Sequence, residues 1–139
     1  MEWSRREFSL LLPALAAAQR AQAAALPAQA LRYEDIPARK NGPMASRQFL
    51  KGQTHSGFEI DLHQTELAPG EAPHPPHQHV HEELLLIREG ELEVTIAGKS
   101  TRLGAGSVAY LASNQLHGWR NVGSTAARYF VLALGDDKG

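Results

Sequence analysis

From residue 46 onward the chain alternates short apolar runs with Gly, Pro and Asn punctuation, at the spacing of an all-β domain. In Glu91 to Ile96 the alternation is strict: Leu92, Val94 and Ile96 face one way, and Glu91, Glu93 and Thr95 the other, so one face of that strand is wet. Leu84 to Ile87 is apolar at both parities, the pattern of a strand covered on its second side by another sheet or another subunit. The predicted strands are RQFLKGQ, FEIDLHQTEL, the HQH segment, ELLLIREG, ELEVTIAG, SVAYLAS, QLHGWRNV and ARYFVLAL. Gly90, Gly98, Gly104, Gly106 and Gly123 fall at the joints between them, and no segment carries the period of a long helix. About eight short strands suffice to close a small barrel or jelly roll.

The first thirty residues follow no such pattern. They are rich in Ala and Leu; Arg5 and Arg6 precede an apolar run from Leu10 to Ala18, and Ala28-Gln29-Ala30 offers an A-x-A cleavage site, as do Ala23 and Ala25. Ser4-Arg5-Arg6-Glu7-Phe8 resembles the twin-arginine export signal, departing from it at Ser9 and Leu10. The apolar run is about half of the ~20 residues that span a bilayer, so no stable membrane span is expected after cleavage. The expected organisation is a signal peptide at 1–30, an irregular arm at 31–45 punctuated by Pro37, Gly42 and Pro43, a barrel at 46–135 and a tail at 136–139. A periplasmic or secreted location follows from that resemblance. The twin-arginine route carries folded, often cofactor-loaded proteins, which implies a metal acquired before export.

Charge and composition narrow the chemistry. The formal net charge is −1, with no basic block to track a phosphate backbone, so nucleic acid is not an expected partner. Cysteine is absent, which excludes a disulfide framework, a thiolate metal site and a cysteine nucleophile. A bound metal would need nitrogen and oxygen ligands.

Those ligand types are concentrated in HPPHQHVHEELLLIREG, residues 74 to 90. Were the strand straight, His77, His79, His81 and Glu83 would share one face. Imidazoles with a carboxylate favour iron, manganese, nickel, copper or zinc over calcium or magnesium. A His-rich surface loop with incidental metal affinity is the alternative that this composition leaves open.

Spacing adds to composition. From Gly70 to Gly90 the chain reads G-x6-H-x-H-x3-E-x6-G, and from Gly106 it reads G-x5-A-x-N-x2-H-x3-N, with Ala112, Asn114, His117 and Asn121 at the marked positions. The first pattern resembles the first motif of the cupin superfamily, with one gap longer by a residue. The second resembles the other cupin motif, with Ala112 and Asn114 where that pattern has Pro and Gly. The resemblance covers about 46 to 135 and implies a double-stranded β-helix, the cupin jelly-roll barrel. It further implies one divalent transition metal per chain (Fe, Mn, Ni, Cu or Zn), held by His77, His79, Glu83 and His117, with open positions for water, dioxygen or substrate.

Around that set, His81 is a candidate for supporting a ligand rather than being one, and His74 and His63 are expected on an exposed loop and an exposed strand face. Trp119, Tyr110 and Gln115 are the candidate pocket-lining residues, and Arg88 and Arg128 the candidate clamps for an anionic substrate. No dedicated general base stands out, and there is no G-x-S-x-G elbow, P-loop or dinucleotide fingerprint. Two functions are compatible with the pattern: an exported metal-dependent enzyme, a dioxygenase-like oxidoreductase or an isomerase on a small organic molecule, or a non-catalytic module binding a small ligand or metal. The doubly apolar Leu84–Ile87 segment and the cupin resemblance imply a homodimer.

Overall fold

A computed structural model describes residues 24–136. Nine strands follow a short 3-10 turn at Tyr33–Asp35: β1 (Arg39–Asn41), β2 (Met44–Gln53), β3 (Glu59–Leu67), β4 (Glu82–Glu89), β5 (Leu92–Ile96), β6 (Lys99–Leu103), β7 (Val108–Leu111), β8 (His117–Asn121) and β9 (Ala127–Leu134). They form a six-stranded sheet in the order β1-β2-β3-β9-β4-β7 and a three-stranded sheet in the order β6-β5-β8, all pairs antiparallel. The two sheets face each other as a jelly roll, and the core between them is built on Leu67, Leu85, Leu92, Leu111, Tyr129 and Val131. No helix among the described residues is long and apolar enough to cross a membrane.

Several expectations change in detail. The arm is not wholly irregular, since it contributes β1 and the first residues of β2, and β6 adds a strand that Lys99–Leu103 did not advertise because its face is almost wholly exposed. The HQH segment is not a strand: His77 makes one isolated bridge to His117, and the chain bends before β4 begins at Glu82. The segment expected to direct export lies mostly outside the described residues. Its end, from residue 24, belongs to no helix or strand, and the Leu26 N–H donates to the Gln53 carbonyl at 2.8 Å while its side chain packs over Gly52.

β4 shows what its doubly apolar pattern means. Leu85 and Ile87 point into the core, whereas Leu84 and Leu86 lie on the outer face of the large sheet, where Leu86 is 41 % exposed. Farther along that outer face the arm provides cover. The Tyr33 ring sits 6.4 Å from Phe49 and under the guanidinium groups of Arg47 and Arg88, and Phe49 meets Phe130 edge-on.

The joints are set by local chemistry. Gly90 takes φ +80, and a Cβ there would fall 2.8 Å from the Ala127 Cα, so this turn excludes a side chain. Asn114 takes φ +56 where the cupin pattern has Gly; Asn is the side-chain-bearing residue that tolerates this region most readily. The second motif's turn is thereby kept without its glycine.

Candidate metal centre

The bridge between His77 and His117 is a reciprocal pair of main-chain hydrogen bonds at 2.9 Å, and it fastens the histidine-rich loop to the edge of β8. The Asn114 N–H donates to the His79 carbonyl at 2.7 Å, tying the left-handed turn to the same loop. At the base of β8, buried Asn121 donates from Nδ2 to the carbonyls of Leu67 and Thr125, and its Oδ1 accepts from the Gly123 N–H. These contacts bring residues far apart in sequence to one place.

There, His77, His79 and His117 present ring nitrogens within 4.8 Å of one another, and Glu83 Oε2 lies 3.5 Å from both His79 Nε2 and His117 Nε2. Nε2 of all three histidines and Oε2 of Glu83 are buried without a hydrogen-bond partner. Such orphaned groups carry a desolvation cost of about 1–3 kcal/mol each unless something satisfies them. Donors each about 2.1 Å from a shared cation would be separated by roughly 3–3.5 Å, so the spacing fits an ion.

Tautomers point the same way. His79 Nδ1 donates to the His81 carbonyl and His117 Nδ1 to the Gln115 carbonyl, each at 2.8 Å, which leaves both Nε2 atoms as lone-pair donors toward the centre. Burial holds the pKa of His77 below its ordinary value, with the neighbouring His74, His117 and His79 adding to the effect. The neutral imidazole that a metal needs is favoured.

Beside the cluster, the His81 ring stacks on His79 at 3.6 Å and its Nε2 lies 3.4 Å from Glu83 Oε1. The two oxygens of Glu83 therefore have different neighbours, one the imidazole triad and one His81. His79, His81 and Glu83 form a second close trio, sharing His79 with the first.

A cleft of about 460 Å3 opens next to His77 and Glu83. Trp119 and Tyr129 form its floor, joined by a hydrogen bond from Trp119 Nε1 to the Tyr129 hydroxyl at 2.9 Å. Burial pushes the Tyr129 phenol up to about 12, so it stays protonated. Of the sequence candidates, Trp119 lines this cleft, and Gln115 reaches the site through its main-chain carbonyl. Tyr110 does not line it. It sits opposite Leu84 on the outer face, 52 % exposed, and donates to Glu82 at 2.6 Å.

The clamp candidates are also displaced. Arg128 lies on the outer face, bonded to Glu66 and Glu89, which hold its pKa above the ordinary range, and Arg88 pairs with Glu89 over Tyr33. His74, in contrast, is not a free loop residue: its ring stacks on His77 at 4.0 Å and meets Trp119 edge-on at 5.2 Å. His63 likewise faces the cleft, with Asp61 and Thr65, because that parity of β3 is the inner one. Ile60 and Leu62 occupy the outer face, so the apolar parity of β3 misidentifies its inner side.

Comparison with known proteins agrees with this architecture. The cupin domain family Cupin_2 matches residues 63–133. The chain belongs to that family. No curated protein matches it. Among solved structures, an RmlC-like cupin from Shewanella frigidimarina superposes with a TM-score of 0.64 at 19% identity, over 78% of this chain and 91% of that one. KdgF from Halomonas sp. gives 0.67 at 14% identity, over 80% and 97%. The polyketide cyclase RemF from Streptomyces resistomycificus gives 0.66 at 19%, over 81% and 83%. At such identities these cupins share the fold, and their chemistry stays their own.

Proposed function

We propose that this cupin is a small exported metal-dependent enzyme, a dioxygenase-like oxidoreductase acting on a small organic molecule held in the cleft beside His77. The observation that carries the reading is the convergence of four partnerless donor atoms, on His77, His79, His117 and Glu83, behind that cleft, which His77 and Glu83 line. Three imidazoles and a carboxylate suit iron, manganese, nickel, copper or zinc. A bound ion supplies Lewis acidity and, for iron or copper, one-electron chemistry with oxygen.

The chain's own residues do the remaining work. Main-chain carbonyls fix the rings of His79 and His117, His81 holds Glu83 Oε1, and the Trp119–Tyr129 floor excludes water from the inner end of the cleft. The test is metal analysis of protein purified without added metal, followed by oxygen uptake with phenolic, flavonoid and thiol compounds. Uptake that requires one compound class and vanishes in His117→Ala supports the reading. Saturable binding without consumption would instead establish a carrier or sensor.

Two features bear on its setting. Cleavage after Ala25 would retain the Leu26 contact with Gln53, whereas cleavage after Ala30 would remove it, and the mass of the exported chain distinguishes the two. On the outer face Leu86, Val108 and Tyr110 are 41 %, 55 % and 52 % exposed, an apolar patch suited to a second copy of the chain. Sedimentation of Val108→Glu against the parent tests that pairing.

A further inference from the structure

Opposite the metal-ligand wall, the cleft is bounded by residues of β1, β2 and β3, and all of these but Met44 are polar. Directly opposed residues of antiparallel strands share a face. Arg39 pairs with Ser46 and Ser46 with Thr65, which gives one polar row; Gln48 pairs with His63, which gives the next. All five line the cleft. A barrel interior that only needed filling would carry apolar side chains at these positions.

The charges on this wall are unequally partnered. Asp61 is answered by Lys51 at 3.0 Å, by Gln48 at 2.9 Å and by His63 at 3.3 Å. Arg32, Arg88, Arg102 and Arg128 each have a carboxylate within ion-pair distance. Arg39, like Arg47 and Arg120, has none among the described residues, and of these three only Arg39 lines the cavity. The carboxylate at the opposite side, Glu83, belongs to the metal set. With Asp61 neutralised locally, the surplus charge of the β1–β3 wall is the Arg39 guanidinium.

We propose that Arg39 is the anion-binding residue of the cleft and that its ligand is a small hydroxylated carboxylate. The carboxylate meets the planar Arg39 fork, which matches it in geometry and charge, with the Ser46 hydroxyl beside it. The hydroxyls of the ligand lie along Gln48 and His63, whose ring is oriented by Asp61, and its far end approaches the ligand cluster. Two strand spacings and two residues separate Arg39 from His63, about 12 Å between Cα atoms, a span that an extended arginine and a short carbon chain fill together. Trp119, Tyr129 and Val131 supply the apolar surface against the carbon skeleton. The proposal rests on the metal-centre reading only for what lies at the ligand's far end.

Gluconate and sorbitol are the probes, because they share a hydroxylated chain and differ in the carboxylate. Calorimetric titration of each into zinc-reconstituted full-length protein is compared among the parent, Arg39→Gln and Arg39→Lys. The expected result is saturable gluconate binding that weakens at least tenfold in Arg39→Gln and less in Arg39→Lys, weak sorbitol binding indifferent to both, and equal zinc content throughout. Arg39 is exposed on a short edge strand, so an unchanged melting curve should show that both variants fold. Equal gluconate affinity in parent and Arg39→Gln, or no saturable gluconate binding, overturns the proposal. Repeating the titration in His117→Ala separates the two readings: Arg39-dependent binding that persists without zinc uptake leaves the anion site standing, and zinc uptake with no Arg39 effect leaves only the metal centre.

Discussion

The two walls of the cleft are held by different means. On the ligand wall, His79 and His117 are oriented by main-chain carbonyls and the loop is pinned to β8 by main-chain hydrogen bonds, so the donor geometry exists before any ion arrives. On the β1–β3 wall, Gln48 Nε2 also meets the Leu50 and Leu62 carbonyls, but Asp61 is held by the side chains of Gln48, Lys51 and His63, and Lys51 is largely exposed. Backbone-anchored groups lose little freedom when they bind, whereas side-chain networks adapt to what enters. Under the proposed function, the first wall would hold the metal and the second would meet the ligand.

The largest test of that contrast is His117→Ala, which should lower metal content from about one per chain to near zero, while His74→Ala keeps it although its ring touches His77. Metal analysis after dialysis reads both. Next is Asn121→Ala, which removes the side chain that satisfies the buried Leu67 carbonyl and the half-buried Thr125 carbonyl at the foot of the ligand wall and should destabilise by about 2 kcal/mol in denaturant unfolding.

Acid should distinguish the walls as well. Because the folded-state pKa of His77 lies below its ordinary 6.5, the unfolded chain binds that proton more readily. The contribution of His77 to metal-free stability is therefore intact above pH 6.5 and is lost as pH falls through that value toward the folded pKa. Melting temperature against pH should show this decline in the metal-free protein and a shallower one in His77→Gln. A smaller effect is expected at the turn: Asn114→Ala should cost about 1 kcal/mol through its positive φ, and Asn114→Gly should not. Smallest of all, His63→Gln should leave metal content unchanged, since His63 is not among the clustered donor residues.

Much of the ligand wall was legible because short-range spacing encodes it. His77, His79, Glu83 and His117 sit at motif distances, and punctuation by Gly90 and Gly106 marks the turns between them. What escaped is the neighbourhood of that set. His74 looked like an exposed loop residue, and it lies in a loop but is half-buried, because its partners, His77 and Trp119, come together only through the bridge to β8. Tyr110 was misplaced because the alternation Val108-Ala109-Tyr110-Leu111 does not declare which parity is inner, and small Ala109 proved to be the core residue beside Leu111.

By itself the amino-acid sequence determined that this protein is a β-jelly roll with a histidine-and-glutamate motif, since a two-residue period and the turn glycines are local properties of the chain. Only the tertiary structure decided which side of each strand became the cavity. In β3 the apolar Ile60 and Leu62 suggested an inward face, yet Asp61, His63 and Thr65 point into the cleft. The outer face is sheltered in part by the arm around Tyr33, so both faces of the large sheet tolerate apolar groups. A hydrophobic pattern records which side chains avoid water, and two separate surfaces of this fold offer that refuge.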